Sequence, residues 1–193
     1  MSGKKKPRKA DKRVKRTRNA LGDAMITLMQ EKPFEEVTVQ QVLERAGVSR
    51  STFYEHYSGK DDLFLSDAEE FFEMMASSLE RRKEASHRVA PVAEMFQHFS
   101  EMGELFRALS ESGKLHDVME ISRGLFARGI EQRLAGSAAA KKMSPMERAM
   151  SAEAYAGAFI ALATWWVGRK KRATPEEVDA LFHRLVWSGV GGA

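Results

Sequence analysis

Apolar residues recur along most of the chain at intervals of three and four positions, which is the spacing of one face of an α-helix. No stretch shows the regular alternation of apolar and polar residues that is typical of a half-buried strand. The pattern therefore predicts an all-α fold of about nine helices, with residues 115–134 forming either one helix or two. The predicted helices cover residues 15–30, 38–46, 50–57, 60–83, 91–109, 115–134, 145–169 and 175–188.

Two short helices joined by a tight turn are predicted between residues 38 and 60. Thr38 can cap the first of them, and Gln41 completes a capping box. Gly47 can adopt the left-handed conformation that ends a helix, and Ser49 is then placed to cap the second one. A capped helix, a glycine turn and a second capped helix are the outline of a helix-turn-helix, which is a DNA-binding motif.

Charge is distributed unevenly along the chain. The net charge is +4, but residues 1–18 alone carry ten basic side chains and one acidic side chain, so that the remaining residues carry −5. A basic end indicates a polyanionic partner, although a solvated tail without a partner remains an alternative. We predict three parts: a basic arm over 1–14 that is disordered without a partner, a helix-turn-helix domain over 15–62 and a helical ligand-binding and dimerisation domain over 63–193.

Composition argues against several other classes of protein. The chain of 193 residues has no cysteine, which excludes disulfide frameworks and thiolate metal sites. Its five histidines are scattered, and no HExxH pair, GxSxG elbow or glycine-rich phosphate loop occurs. We therefore expect no catalytic residue, no metal and no cofactor. The apolar run within 145–169 is shorter than the ~18 residues of a membrane span, and no apolar segment of a secretory signal follows the basic N-terminus.

The last two predicted helices carry more apolar faces than one helical body easily covers. A small-residue face on the helix 145–169 and an apolar face on the helix 175–188 are therefore predicted to pack against a second copy of the chain. The alternative is that these faces close the core of the monomer. The predicted interface residues are Ala154, Gly157, Ala158, Ala161, Leu181 and Leu185.

Soft apolar side chains in the C-terminal two thirds are candidates for an adaptable ligand pocket. Core packing is the alternative for each of them. The candidate pocket residues are Met75, Met95, Phe99, Met102, Phe106, Met119, Phe126 and Trp165.

The segment around the predicted turn resembles the TetR/AcrR family of bacterial transcription regulators. The likeness covers residues 15–65 and rests on Lys32-Pro33-Phe34, Thr38-Val39, Ala46-Gly47-Val48-Ser49, Thr52-Phe53-Tyr54, Lys60 and Leu63. His56-Tyr57 departs mildly from the family, in which Tyr or His followed by Phe is more common. The resemblance implies a cytoplasmic bacterial homodimer that represses transcription at a pseudo-palindromic DNA operator and is released by a small-molecule effector. Arg50-Ser51 varies within the family, so no operator sequence is implied.

The predicted third helix turns Phe53 inward and presents its first turn to DNA. Arg50 suits a bidentate bond to guanine, and Ser51 or Thr52 can reach a base edge or a thymine methyl group. Residues at helix N-termini and on the basic segment suit phosphate groups instead. The predicted DNA-binding residues are Arg16, Arg18, Thr38, Gln40, Ser49, Arg50, Ser51, Thr52, Tyr54, His56 and Lys60.

Two alternatives to a ligand-controlled repressor remain at the level of the sequence. One is a DNA-binding regulator without a small ligand, controlled by its abundance or by a protein partner. The other, more remote, is a helical enzyme or metal protein.

Overall fold

The computed structural model describes residues 9–81, 87–169 and 173–191, and each regular element within these ranges is a helix. The ten α-helices are α1 (Lys9–Glu31), α2 (Val39–Ala46), α3 (Arg50–Tyr54), α4 (Lys60–Ala76), α5 (Ser78–Arg81), α6 (Val92–Glu101), α7 (Gly103–Glu111), α8 (Lys114–Ala135), α9 (Pro145–Val167) and α10 (Pro175–Gly191). Two 3₁₀ turns, Phe34–Glu36 and Ala139–Lys142, lie between them. The predicted all-α fold is confirmed.

The chain divides into two compact units, residues 1–67 and 68–193. Helix α1 begins at Lys9, within the arm 1–14 that is predicted to be disordered without a partner, and residues 1–8 lie outside the described part. Lysine, arginine and alanine favour helix, and exposed basic side chains on a helix stay hydrated. Repulsion between the basic side chains therefore does not prevent residues 9–14 from forming the first turns of α1.

Several helix boundaries differ from the predicted ones. The predicted helix 91–109 is divided at Met102, whose backbone leaves the helical region (φ −102°, ψ 27°), and Gly103 then begins α7. The predicted helix 60–83 is divided at Ser77, whose hydroxyl donates to the carbonyl oxygen of Glu73 at 2.8 Å. Residues 114–135 form one helix rather than two.

In the N-terminal unit, α1–α3 and the start of α4 enclose a small core. Its fully buried side chains include Leu21, Val42, Phe53 and Leu63. Tyr57, also buried, accepts a hydrogen bond at its hydroxyl from Arg18 Nε at 3.1 Å. The core thus joins the short helix α3 to the long helix α1.

Helices α8 and α9 form the centre of the C-terminal unit, with α6, α7 and α10 packed around them. The rings of Phe126 and Phe159, from α8 and α9, are 4.5 Å apart, and Phe96 and Phe182 pack edge-on against Phe159. Aromatic rings favour such tilted and edge-on arrangements, which fill a core closely. Within the described residues, no helix is both long enough and apolar enough to span a bilayer.

Side chains from α8 and α10 hold the segment 87–90 in front of α6. Trp187 Nε1 donates to the carbonyl oxygen of His87 at 2.8 Å, and Arg133 Nε donates to that of Arg88 at 3.0 Å. The backbone N–H of Val89 donates to Nε2 of the buried His183 at 3.1 Å. His87, Arg88 and Val89 have no regular structure, and each of them therefore has one backbone group bonded by a side chain.

Candidate nucleic-acid interface

The first helix of the predicted motif begins with the expected capping box. Thr38 Oγ1 accepts from the backbone N–H of Gln41, and Gln41 Oε1 accepts from the backbone N–H of Thr38 at 3.0 Å. Lys32 Nζ donates to the same Gln41 oxygen at 2.6 Å. Sequence reasoning gave Lys32 no role, although its position just before the motif was visible. The start of α2 is therefore fixed by hydrogen bonds among Thr38, Gln41 and Lys32 of the same unit.

The turn between α2 and α3 depends on Gly47. Its φ is +64° and its ψ is +34°, and its N–H donates to the carbonyl oxygen of Leu43. A side chain at this left-handed position would be strained, so glycine ends α2 at least conformational cost. Ser49 then caps α3 by accepting from the N–H of Thr52 at 3.2 Å. Both predicted caps of the helix-turn-helix are present.

Helix α3 buries one side and leaves the other free. Phe53 is fully buried, whereas Arg50 and Ser51 are exposed and Tyr54 is 52% exposed. The helix ends at Tyr54, three residues earlier than predicted, and Tyr57 still reaches the core from the turn that follows. This geometry offers the first turn of α3 to the floor of a groove.

An open hollow of about 430 Å³ lies beside α3. Gln40 and Glu44 on α2 form one wall, where Gln40 Nε2 donates to Glu44 Oε1 at 2.8 Å, and Arg50 forms part of the other. Glu44 was not among the predicted site residues. Its partnership with Gln40, one helical turn away, fits the i, i+4 spacing and is therefore a signal present in the sequence.

The other predicted contact residues differ in their surroundings. Arg16 and Thr38 are exposed, and His56 is half-buried beside the ring of Tyr57. Arg18 is held partly inward by its bond to Tyr57. Lys60 Nζ points inward and donates to three backbone carbonyl oxygens of the same unit. The structure therefore brings together Gln40, Ser49, Arg50, Ser51 and Thr52 around the start of α3, whereas the Tyr54 ring contacts that of Phe53.

The helix-turn-helix also matches a family of known proteins. The sequence model of bacterial regulatory proteins of the tetR family matches residues 23–66. Residues 23–66 therefore resemble the DNA-binding domain of tetR-family regulators. An uncharacterized HTH-type transcriptional regulator of this type from Bacillus subtilis, YxbF, is 36% identical over 59 residues, which are 30% of this chain and 16% of that protein. The chain thus matches only a small part of the length of that relative.

Solved structures of tetR-type proteins share the fold beyond the matched domain. The TetR transcriptional regulator from Streptococcus agalactiae 2603V has 24% sequence identity and a TM-score of 0.63, over 92% of this chain and 97% of that one. RolR, solved in complex with resorcinol, has 17% identity and a TM-score of 0.63, over 93% and 90% of the two chains. The family model that matches residues 23–66 describes bacterial regulatory proteins.

The candidate pocket residues differ in how far they are buried. Met95, Phe99, Phe106, Met119 and Phe126 are buried, and the rings of Phe99 and Phe106 are 4.6 Å apart. Met75 and Met102 are half-buried. Trp165 lies apart from this group, because it is 50% exposed on α9 with the guanidinium of Arg169 4.8 Å from its ring.

The candidate dimer residues lie on faces of α9 and α10 that we call the strip of α9 and α10. Ala154, Ala158 and Ala161 are exposed on α9, Gly157 is half-buried, and Leu185 on α10 is 52% exposed. Leu181 is half-buried. Met146 and Met150, 68% and 59% exposed, extend the strip toward the start of α9, and sequence reasoning missed them. Their i, i+4 spacing with Ala154 was the available signal.

No group of three or more histidine, aspartate and glutamate side chains within the described ranges is placed to hold a metal ion. Burial lowers the pKa of His98, against an opposing effect of the charge on Glu101, and its ring stacks on Phe71 with centroids 4.4 Å apart. We assign this pair to packing between α4 and α6.

Proposed function

We propose that this protein is a homodimeric transcriptional repressor that binds a pseudo-palindromic operator in double-stranded DNA and is released by a small-molecule effector. The observation that carries the proposal is the exposed first turn of α3, which presents Arg50 and Ser51 from a helix capped by Ser49 and anchored by the buried Phe53. By this proposal the protein acts in the bacterial cytoplasm.

Base recognition is assigned to the start of α3. The guanidinium of Arg50 has the donors and the reach for a bidentate bond to O6 and N7 of guanine. Ser51 and Thr52 offer hydroxyl groups for a base edge, and the methyl group of Thr52 suits a thymine. Ser49 bonds to both hydroxyls, at 3.1 Å and 2.9 Å, which orders this small polar cluster before DNA arrives.

Phosphate contacts are assigned to the groups around the hollow. Thr38 and Gln40 lie at the N-terminus of α2, where free N–H groups and the helix dipole favour an anion. Tyr54 and His56 follow the recognition turn, and Arg16 and Arg18 add positive charge from α1. The side chain of Lys60 is not one of these phosphate contacts, because its ammonium group donates to three backbone carbonyl oxygens of the same unit.

Dimerisation is assigned to the exposed strip of α9 and α10. Small residues at 154, 157, 158 and 161 allow the backbone of a second α9 to approach closely, and Leu185 and the two methionines supply apolar area. A twofold dimer would present two copies of α3 to two half-sites about one duplex turn (~34 Å) apart.

The effector is assigned to the second unit. RolR, which shares the fold, binds resorcinol, and this supports a small-molecule site in the corresponding unit of the present chain. The methionine and phenylalanine side chains of α6–α8 are soft enough to re-pack around such a molecule. Release would follow if the effector bound better to a conformer in which the two α3 helices are spaced differently.

A second candidate function is DNA binding without a small ligand. The close packing of Phe99 against Phe106 and of Phe126 against Phe159 favours it, because these candidate pocket residues are already buried by one another. A thermal-shift screen with small aromatic and aliphatic compounds separates the two, since only a ligand-controlled regulator gains stability from one of them.

The proposal is tested by selecting bound duplexes from a random pool and measuring binding of the selected sequence by gel shift. Arg50→Ala is expected to weaken binding by about 1–3 kcal/mol and to relax the preference at one operator position. Arg107→Ala is the matched control, because Arg107 is exposed on α7 and pairs with Glu104 and Glu111 of its own helix. A wild-type protein that selects no sequence, or an Arg50→Ala variant with unchanged preference, would contradict the proposal.

A further inference from the structure

Lys60, the first residue of α4, is half-buried, and its ammonium group is surrounded by three carbonyl oxygens. Its ammonium nitrogen lies 2.8 Å from the carbonyl oxygen of Phe34, 3.0 Å from that of Glu35 and 2.8 Å from that of Val37. The same nitrogen lies 4.6 Å from the centre of the Phe34 ring. A lysine ammonium has three hydrogens, and each has an acceptor here.

The three carbonyl groups belong to the 3₁₀ turn Phe34–Glu36 and to Val37, which caps its end. The C-terminal end of a helical turn carries unpaired carbonyl oxygens and partial negative charge, so a cation is stabilised there. Val37 directly precedes Thr38, the cap of α2. Lys60 is therefore bonded to the residue that leads into the N-terminus of α2.

The same face of α4 continues into the domain core. Leu63 and Phe64 are buried, and the Phe64 ring is 5.4 Å from that of Phe34. One turn further on, Asp67 lies so close to Gly22 of α1 that a Cβ at Gly22 would be 2.4 Å from Asp67 Oδ1. The first two turns of α4 are thus packed as part of the DNA-binding unit, and Lys60 is their polar contact to the segment before α2.

We propose that Lys60 is a positioning residue for DNA binding: its ammonium group fixes the start of α2, and thereby Thr38 and Gln40, and it does not itself contact a phosphate. This inference rests on the proposed DNA-binding function. The two possible roles of the Lys60 ammonium group have different measurable effects. A phosphate contact contributes to the salt dependence of DNA binding, whereas a positioning contact affects how well the start of α2 is ordered.

The first experiment compares wild type with Lys60→Met in the full chain, because methionine keeps an unbranched apolar stem and removes the donors. Hydrogen exchange is expected to show at least a threefold loss of amide protection at residues 37–42. Binding of the selected operator, measured far below the melting temperature of each variant, is expected to weaken about three- to tenfold at each salt concentration. The slope of log K against log salt is expected to change by less than about half a unit, since one lost phosphate contact changes it by about 0.9.

The outcomes separate the possible roles. A slope reduced by about one with unchanged protection at 37–42 would show a phosphate contact and overturn the proposal. Reduced thermal stability with unchanged affinity of the folded variant would show a purely structural residue, and would overturn it also. If the wild type binds no duplex selectively, the proposed function fails, while the hydrogen-exchange result still decides whether Lys60 orders α2.

A second measurement needs no variant, in case Lys60→Met does not fold. The ammonium ¹H–¹⁵N signal of Lys60 in the wild type is expected to be visible through slow hydrogen exchange and to keep its chemical shift when operator DNA is added. Arg16→Gln serves as the contrasting variant, since it removes an exposed cation of α1 and is expected to reduce the salt slope without changing protection at 37–42. A Lys60 signal that shifts on addition of DNA as a phosphate contact does would overturn the proposal.

Discussion

Asp179 shows how one carboxylate joins several segments of the C-terminal unit. Its Oδ1 accepts from Arg88 Nη2 at 3.0 Å and from the backbone N–H of Ala93 at 3.1 Å. The imidazole Nδ1 of His183 lies 3.3 Å from its Oδ2. Burial alone would raise the pKa of the Asp179 carboxyl, but the His183 and Ala93 N–H groups and the charge of Arg88 outweigh it and lower the pKa.

Because its pKa is lowered, the contribution of Asp179 to the free energy of unfolding depends on pH. A carboxyl whose pKa is depressed by folding stabilises the folded state above its unfolded pKa, about 3.9, and loses that effect as the pH falls through the folded value. Asp179→Asn is expected to cost about 1–3 kcal/mol at pH 7, and the difference from wild type is expected to narrow below about pH 4.

Urea unfolding at pH 7, 5 and 3.5 measures this difference. Glu104→Gln is the control, because Glu104 is exposed on α7, and it should change the free energy of unfolding little at any of the three pH values. A difference for Asp179→Asn that is equally large at pH 3.5 and pH 7 would exclude the linkage.

For single residues, the sequence predicts hydrogen-bond partners well when they are close in the chain and poorly when they are distant. The capping box of Thr38 and Gln41 and the cap by Ser49 follow from residues three positions apart. The acceptors of Lys60 lie 23 to 26 positions before it, and His183 binds the N–H of Val89, 94 positions away. Periodicity contains no information on such pairs, so Lys60 was assigned to phosphate from its position at a helix start.

Helix α8 contains two glycines in different surroundings. A Cβ added to Gly124 would meet no atom within 4 Å, whereas one added to Gly129 would lie 3.0 Å from the carbonyl oxygen of Ala76 at the end of α4. Glycine at position 129 therefore permits a close approach of two helices, and glycine at 124 has no such neighbour. The sequence shows both glycines within one predicted helix without distinguishing them.

The two positions form a matched pair for a stability measurement. Gly124→Ala is expected to stabilise the protein by up to about 1 kcal/mol, because alanine is the better helix former. Gly129→Ala gains the same propensity but must displace a backbone carbonyl, so it is expected to be about 1–2 kcal/mol less stable than Gly124→Ala. Chemical unfolding of both variants gives the comparison, and equal stability of the two would show that α4 and α8 do not approach closely in solution.

Helix existence was predictable for the long amphipathic segments, and helix ends were not. Residues 145 and 175 begin helices as predicted, because Ser144 and Thr174 accept from N–H groups three residues ahead. The break at Met102 has no proline and no capping side chain, and the apolar spacing runs through it. Tertiary packing of α6 and α7 onto different neighbours decides such a break, and a local pattern does not report it.

The strip along α9 and α10 bears on the oligomeric state of the whole molecule. Met146, Met150 and Leu185 are exposed in this strip, while small residues occupy the middle of α9. An apolar strip of this kind on the surface is typical of an interface. The same composition was visible in the sequence, but only the structure shows that the monomer core uses the opposite side of α9, through Ala156, Phe159 and Ala163.

Ala161→Arg is expected to convert the proposed dimer into a monomer. The arginine would place an unpaired charge and a long side chain where two small-residue faces meet, and a buried unpaired charge is strongly unfavourable. Sedimentation equilibrium measures the change, and circular dichroism should show unchanged helix content. Ser100→Arg, on an exposed position of α6, is the control and should remain dimeric. A dimeric Ala161→Arg variant would place the interface elsewhere.

The division of labour within α3 has a consequence for how operator preference can evolve. Phe53 alone carries the burial of this five-residue helix, and the exposed Arg50, Ser51 and Tyr54 contribute little to the core. Surface substitutions away from caps and packed groups usually change stability by less than about 0.5 kcal/mol. Mutation can therefore sample many side chains at position 50 at nearly constant fold stability, so a duplicated copy of the gene could acquire a new target site without first needing a stabilising mutation.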